Sequence, residues 1–93
     1  MATYRVYRLS EGVQVRNEKF GLLFYNYRGP RLYFLPSRDL LDESFFNGQR
    51  PLESVIETIH ARHGWPLQWI RQQLADILMK LENKGLIHEQ SLC

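Results

Sequence analysis

His60-Ala61-Arg62-His63 sets two imidazoles at i and i+3, on one face of any helix that contains them. That spacing can hold two ligands of a metal ion, but a protein zinc site needs at least three. The remaining histidine, His88, and the only cysteine, Cys93, lie in a tail whose position the spacing leaves open. The simpler account of His60 and His63 is a surface pair near a helix C-terminus, where a protonated ring is favoured by the helix dipole. Cys93 as a nucleophile would need a base and an oxyanion site beside it, and a terminal residue is poorly held for that task. Asp42-Glu43 reads as a solvated part of a helix rather than as an acid–base pair. No glycine-rich phosphate-binding pattern is present. The chain is therefore expected to be non-catalytic, with no metal and no cofactor of its own.

The aromatic residues are more informative. Tyr25, Tyr27, Tyr33 and Phe34 crowd one short stretch and exceed what one face of a small sheet needs. Two readings stand. The rings can cover a helical layer, or they can flank a sheet edge whose unpaired N–H and C=O groups accept a peptide as an added strand. Trp65 and Trp69, at i and i+4, either staple the start of a helix to the core or anchor a partner.

These residues need elements to position them. Tyr4–Leu9 and Val13–Arg16 alternate with a period near two, separated by Glu11-Gly12. Phe20–Tyr27 is rich in aromatics, as strands are, and Arg31–Leu35 follows the turn signal Arg28-Gly29-Pro30, so an antiparallel hairpin is predicted. After Pro36 the period becomes helical. Ser37 is placed to cap a first helix carrying Leu40, Leu41 and Phe45, with Gly48 as its stop. Pro51 opens a second helix with Leu52, Val55, Ile56 and Ile59, ended by Gly64. Pro66 opens a third with Ile70, Leu74, Ile77, Leu78 and Leu81, ended by Gly85, after which Leu86-Ile87 folds back on the core. The expected architecture is α+β: a three-stranded antiparallel sheet over residues 4–35, then a three-helix, winged-helix-like bundle over residues 37–85, all one domain.

Ninety-three residues with 44% hydrophobic and 24% charged residues suit one soluble domain with one modest core. No apolar run approaches the roughly 18 residues that span a bilayer, and the first residues lack the apolar core of a signal peptide. A single cysteine makes an intramolecular disulfide impossible, so a cytoplasmic location is expected. The net charge of +2 is unevenly spread. Residues 1–38 carry Arg5, Arg8, Arg16, Lys19, Arg28, Arg31 and Arg38 against Glu11 and Glu18, a balance of +5, and the remainder carries −3. Such a field steers acidic partners, although a solvated basic surface has the same composition.

Tyr7-Arg8-Leu9-Ser10-Glu11-Gly12-Val13-Gln14-Val15-Arg16, Phe20-Gly21-Leu22-Leu23-Phe24-Tyr25 and Leu32-Tyr33-Phe34-Leu35 together resemble the mycofactocin biosynthesis chaperone family, within the PqqD-like peptide-recognition domains. The resemblance is densest from Tyr7 to Leu41. Asn47-Gly48 and Leu78…Leu81…Gly85-Leu86 fit it more loosely. It implies a protein that binds the acidic leader of a short ribosomal precursor peptide and delivers it to a radical SAM maturase, which modifies a C-terminal Val-Tyr. Iron–sulfur clusters and S-adenosylmethionine would belong to that enzyme, since one cysteine cannot hold a cluster. The resemblance implies that the leader lies along Arg31, Leu32, Tyr33, Phe34 and Leu35, against a last helix offering Arg71, Leu74, Ala75 and Leu78. Periodicity leaves open which of these four are core and which line a groove. The runner-up is a winged-helix nucleic-acid binder, supported by the helical order and the basic first third. Against it, Arg71, Lys80 and Lys84 are nearly balanced by Asp76 and Glu82 on the third helix. No membrane partner is expected.

With no third ligand beside His60 and His63, chain purified without a tag should carry far less than stoichiometric metal by elemental analysis. Zinc or iron at one ion per chain, resistant to mild chelation, would restore the two histidines as ligands.

Overall fold

A computed structural model describes residues 4–28, 31–37 and 40–92. The expected Gly29-Pro30 turn and Cys93 lie outside the described residues. Five strands and two helices follow one another: β1 (Tyr4–Leu9), β2 (Val13–Glu18), β3 (Gly21–Asn26), β4 (Arg31–Leu35), α1 (Leu52–His63), α2 (Leu67–Asn83) and β5 (Ile87–Leu92). The strands form two antiparallel sheets, β2-β3-β4 and β1-β5.

Three features depart from the architecture expected from the sequence. First, β1 does not join the three-stranded sheet. It pairs along its whole length with the C-terminal segment, from Tyr4 opposite Leu92 to Leu9 opposite Ile87. Ser10 N–H extends this ladder to Leu86 O at 2.9 Å. The chain is thus not strands followed by helices: its last element is a strand that closes back on its first.

Second, the bundle has two helices. In place of a helix from Ser37 to Gly48 there is a single 3-10 turn, Glu43–Phe46. Short polar side chains here bond nearby backbone and compete with an i→i+4 ladder. Asp42 accepts from Ser44 N–H at 3.0 Å, and Asn47 Oδ1 accepts from Gln49 N–H at 2.8 Å. Ser37 is buried and donates its hydroxyl to Leu41 O rather than capping a helix. Burial pushes the Asp42 carboxyl up, but bonds from Ser44 and the charge of Arg50, 3.2 Å away, outweigh this and hold it below its ordinary range. Third, with that helix missing, the described residues do not form the trihelical core behind the nucleic-acid alternative.

The two remaining helices are bounded as their punctuation predicts. Pro51 and Pro66 immediately precede them, and Gly64 closes α1 at φ +71°, its N–H bonding His60 O at 2.8 Å. The core lies between the two sheets and the helices. Phe24, Phe45, Ile70, Leu74 and Leu81 are fully enclosed. Phe45 stacks on Tyr7 at 5.7 Å and meets Phe46 edge-on at 5.2 Å, and Phe46 meets Phe24 edge-on at 5.4 Å. This aromatic chain ties β1 to β3 through the 3-10 turn. Among the described residues no helix is long and apolar enough to cross a membrane.

Gly21 opens β3 where β4 crosses closest. A Cβ there would overlap the Leu35 carbonyl oxygen and press on the Phe34 ring. Gly64, although left-handed, has open space around it. Gly21→Ala should therefore cost about 1–3 kcal/mol by forcing β4 aside, and Gly64→Ala about 1 kcal/mol from conformation alone. Urea unfolding of the two variants checks the order.

Candidate peptide-docking edge

The backbone of β4 is set by its neighbours. Tyr27 N–H bonds Gly12 O at 2.9 Å, one step beyond the Val13–Asn26 pair of the β2–β3 ladder. In an antiparallel ladder hydrogen-bonded and non-bonded pairs alternate. Gly21, Leu23 and Tyr25 therefore bond toward β2, leaving Leu22, Phe24 and Asn26 to bond their β4 partners Leu35, Tyr33 and Arg31. It follows that the N–H and C=O groups of Leu32 and Phe34 point away from the sheet. No described strand pairs with that edge.

The side chains divide by the same alternation. Leu35 is buried and Tyr33 is half-buried against the core, whereas Leu32 is 73% exposed and Phe34 44% exposed on the opposite face. Only the backbone of Arg31 is described. Lys84, just past the end of α2, holds its ammonium 4.7 Å from the centre of the Tyr33 ring. That cation–π contact joins the end of α2 to β4.

The other residues expected to wall the site are spread around α2. Leu74 and Leu78 face the core. Arg71 bonds Glu53 of α1 at 2.6 Å. Ala75 and Leu78 line a depression of about 250 Å³ between α2 and the β1–β5 ribbon, with Tyr7, Leu52 and Met79. There burial, then Glu89 and Glu82, push the Tyr7 phenol up against the opposing influence of Arg5. The structure thus brings Arg71 and Ala75 to the α1 and β1–β5 side of the helix. At 3.6 residues per turn, Lys84 continues a different stripe, Gln73, Ile77 and Lys80. Ile77 is half-buried and packs on the core. This stripe was not singled out from the sequence. Its spacing of four, three and four is visible there, but nothing local says which flank of a helix meets β4.

The histidines are engaged elsewhere. His60 Nδ1 lies 2.6 Å from Trp65 O, and His63 stacks on the Trp65 indole at 4.0 Å between ring centres. Trp65 is half-buried on the core and meets the 44%-exposed Trp69 edge-on at 5.4 Å. Among the described residues no three His, Cys, Asp or Glu side chains are grouped to hold a metal ion.

Residues 6–88 match the family described as the Peptide chaperone MftB family. Searches of curated proteins and of solved structures returned no significant match.

The phase of β4 has a direct consequence. Tyr33→Pro removes a ladder N–H and strands the Phe24 carbonyl, so it should destabilise the fold by about 2–3 kcal/mol. Leu32→Pro and Phe34→Pro remove outward N–H groups and should stay within about 1 kcal/mol of the parent. Circular dichroism melts of the three variants test this; equal losses would refute the assigned phase.

Proposed function

The chain belongs to the Peptide chaperone MftB family, and we propose that it binds the leader of a short ribosomal precursor peptide along β4 and delivers that peptide to a radical SAM maturase. The observation that carries the proposal is the edge of β4 with which no described strand pairs. Leu32 and Phe34 offer two donors and two acceptors in register for one added strand. Each bond made contributes about 0.5–1.5 kcal/mol net, and ordering of the leader offsets part of that.

Alternation gives the added strand two different surroundings. Side chains on its inner face meet Tyr33, and the Ile77–Lys84 stripe supplies the helical wall. Those on its outer face lie beside Leu32 and Phe34. Lys80 and Lys84, together with the +5 balance of residues 1–38, favour an acidic leader. Backbone pairing supplies affinity without demanding a fixed sequence, and the inner face supplies selection. This is a binding role. The chain presents the peptide, and the chemistry on the Val-Tyr end is the maturase's.

Isothermal titration of the synthetic leader and of a mixed-sequence DNA duplex into the full chain tests the proposal at low and high salt. Leader binding should be clearly tighter and only modestly salt-sensitive. DNA binding should be weak and collapse with salt, as counterion release requires. Phe34→Pro should weaken the leader by about fivefold or more, equivalent to about 1 kcal/mol, while the helical signal stays. Selective duplex binding with no leader binding would defeat the chaperone reading.

A further inference from the structure

We infer that the outer face of the β2-β3-β4 sheet is a docking surface for the protein that receives the peptide, and that the bound leader widens it. The inference rests on the leader lying along β4. The face carries two cross-strand rows, Gln14–Tyr25–Leu32 and Arg16–Leu23–Phe34. Tyr27 packs edge-on against Tyr25 at 5.7 Å, and Phe34 lies across Gly21. Tyr27, 67% exposed, extends these rows, and Phe20, 65% exposed, stands at the hairpin tip beside them, so apolar and aromatic side chains cluster here around Gln14 and Arg16. Such a patch on a small soluble domain marks an interaction site.

Phe20 supplies an independent observation. It closes the two-residue connection between β2 and β3 at φ +74°, the only non-glycine among the described residues in the left-handed region. Glycine or asparagine sits there without strain, and a ring left 65% exposed gains little burial in return. Strain kept at an exposed aromatic points to a contact made outside the chain.

The rim decides the partner. Arg16 pairs with Glu18 at 2.7 Å and Arg28 with Glu11 at 2.6 Å. Lys19 lies 5.4 Å from the Phe20 ring centre, with no carboxylate partner among the described residues. The surplus is cationic, so the complementary surface is an apolar patch edged by carboxylates. Two copies stacked face to face would oppose their surplus cations. A protein fits both the ordered ion pairs and the flat strands.

The leader is part of this surface. Residues that pair with Leu32 and Phe34 direct their side chains to the same face. A protein seated there touches chain and leader together, and by linkage each raises the affinity of the other.

The test uses the full chain, the purified radical SAM maturase and the synthetic leader. In Phe20→Gly, and in the double variant Leu23→Thr with Tyr25→Thr, maturase binding should weaken by about tenfold or more. Leader affinity should stay within about twofold, because neither change touches the β4 edge. The melting temperature of Phe20→Gly should not fall. Saturating leader should tighten maturase binding to the parent chain and not to the double variant. Unchanged maturase binding in both variants overturns the inference. So does parent self-association that the variants abolish in sedimentation, which assigns the face to a second copy. Capture of the parent by phosphatidylcholine–phosphatidylglycerol vesicles, lost in the variants, assigns it to lipid and overturns the inference equally. If the parent does not bind leader, the preceding proposal fails, and the maturase titration still decides the outer face.

Discussion

One hydrogen-bond phase organises the three-stranded sheet. The bond from Tyr27 N–H to Gly12 O extends the first ladder and sets its alternation. Every later pairing inherits that alternation, because each residue of a strand bonds to one side only. Phe24 is committed to Tyr33 and Leu22 to Leu35. The same parity buries Leu35, half-buries Tyr33, and leaves the backbone groups of Leu32 and Phe34 outward. A slip of one residue would reverse all of this, turning Leu32 and Phe34 toward the core. The Gly21–Leu35 approach guards against that slip, since only glycine admits the carbonyl at that point.

The second sheet does a different job. β5 returns over β1 and carries the C-terminal segment back to the first strand. Tyr7 then reaches Phe45, and Phe45 and Phe46 reach Phe24. A 3-10 turn of four residues is enough to bury both phenylalanines. The aromatic chain thus bridges two sheets that share no strand.

Helix α2 separates two surroundings. One flank carries Arg71 to Glu53 and Ala75 to the depression beside Tyr7. The other ends in Lys84 above Tyr33. The helix is buried along Ile70, Leu74, Leu78 and Leu81, so these flanks face opposite sides of the same core.

Local chemistry made much of this legible in the sequence. Period-two runs mark β1 and β2, aromatic content and the Arg28-Gly29-Pro30 turn signal mark β3 and β4, and Pro51, Gly64 and Pro66 bracket the two helices, because proline and glycine act through their own dihedrals wherever they stand. The blocks around Ser10–Arg16 and Phe20–Tyr25 carried the family. The strand Arg31–Leu35 and its alternation were also visible. Which set of its side chains turns inward was not, since alternation has two phases and only the partner strand selects one. The stretch from Leu40 to Phe45 has helical spacing, yet the Asp42 and Asn47 side chains accept from nearby backbone N–H groups, the Ser44 hydroxyl donates to Asp42, and the stretch ends as one turn. Ile87–Leu92 has a weak strand signal, and its pairing with β1 joins residues at opposite ends of the chain. Contacts across such a separation are decided by closure of the whole fold, not by propensity. That Lys84, just past α2, lies over Tyr33 of β4 was hidden for the same reason: a helix presents every flank with the same period, and only packing says which neighbour each one finds.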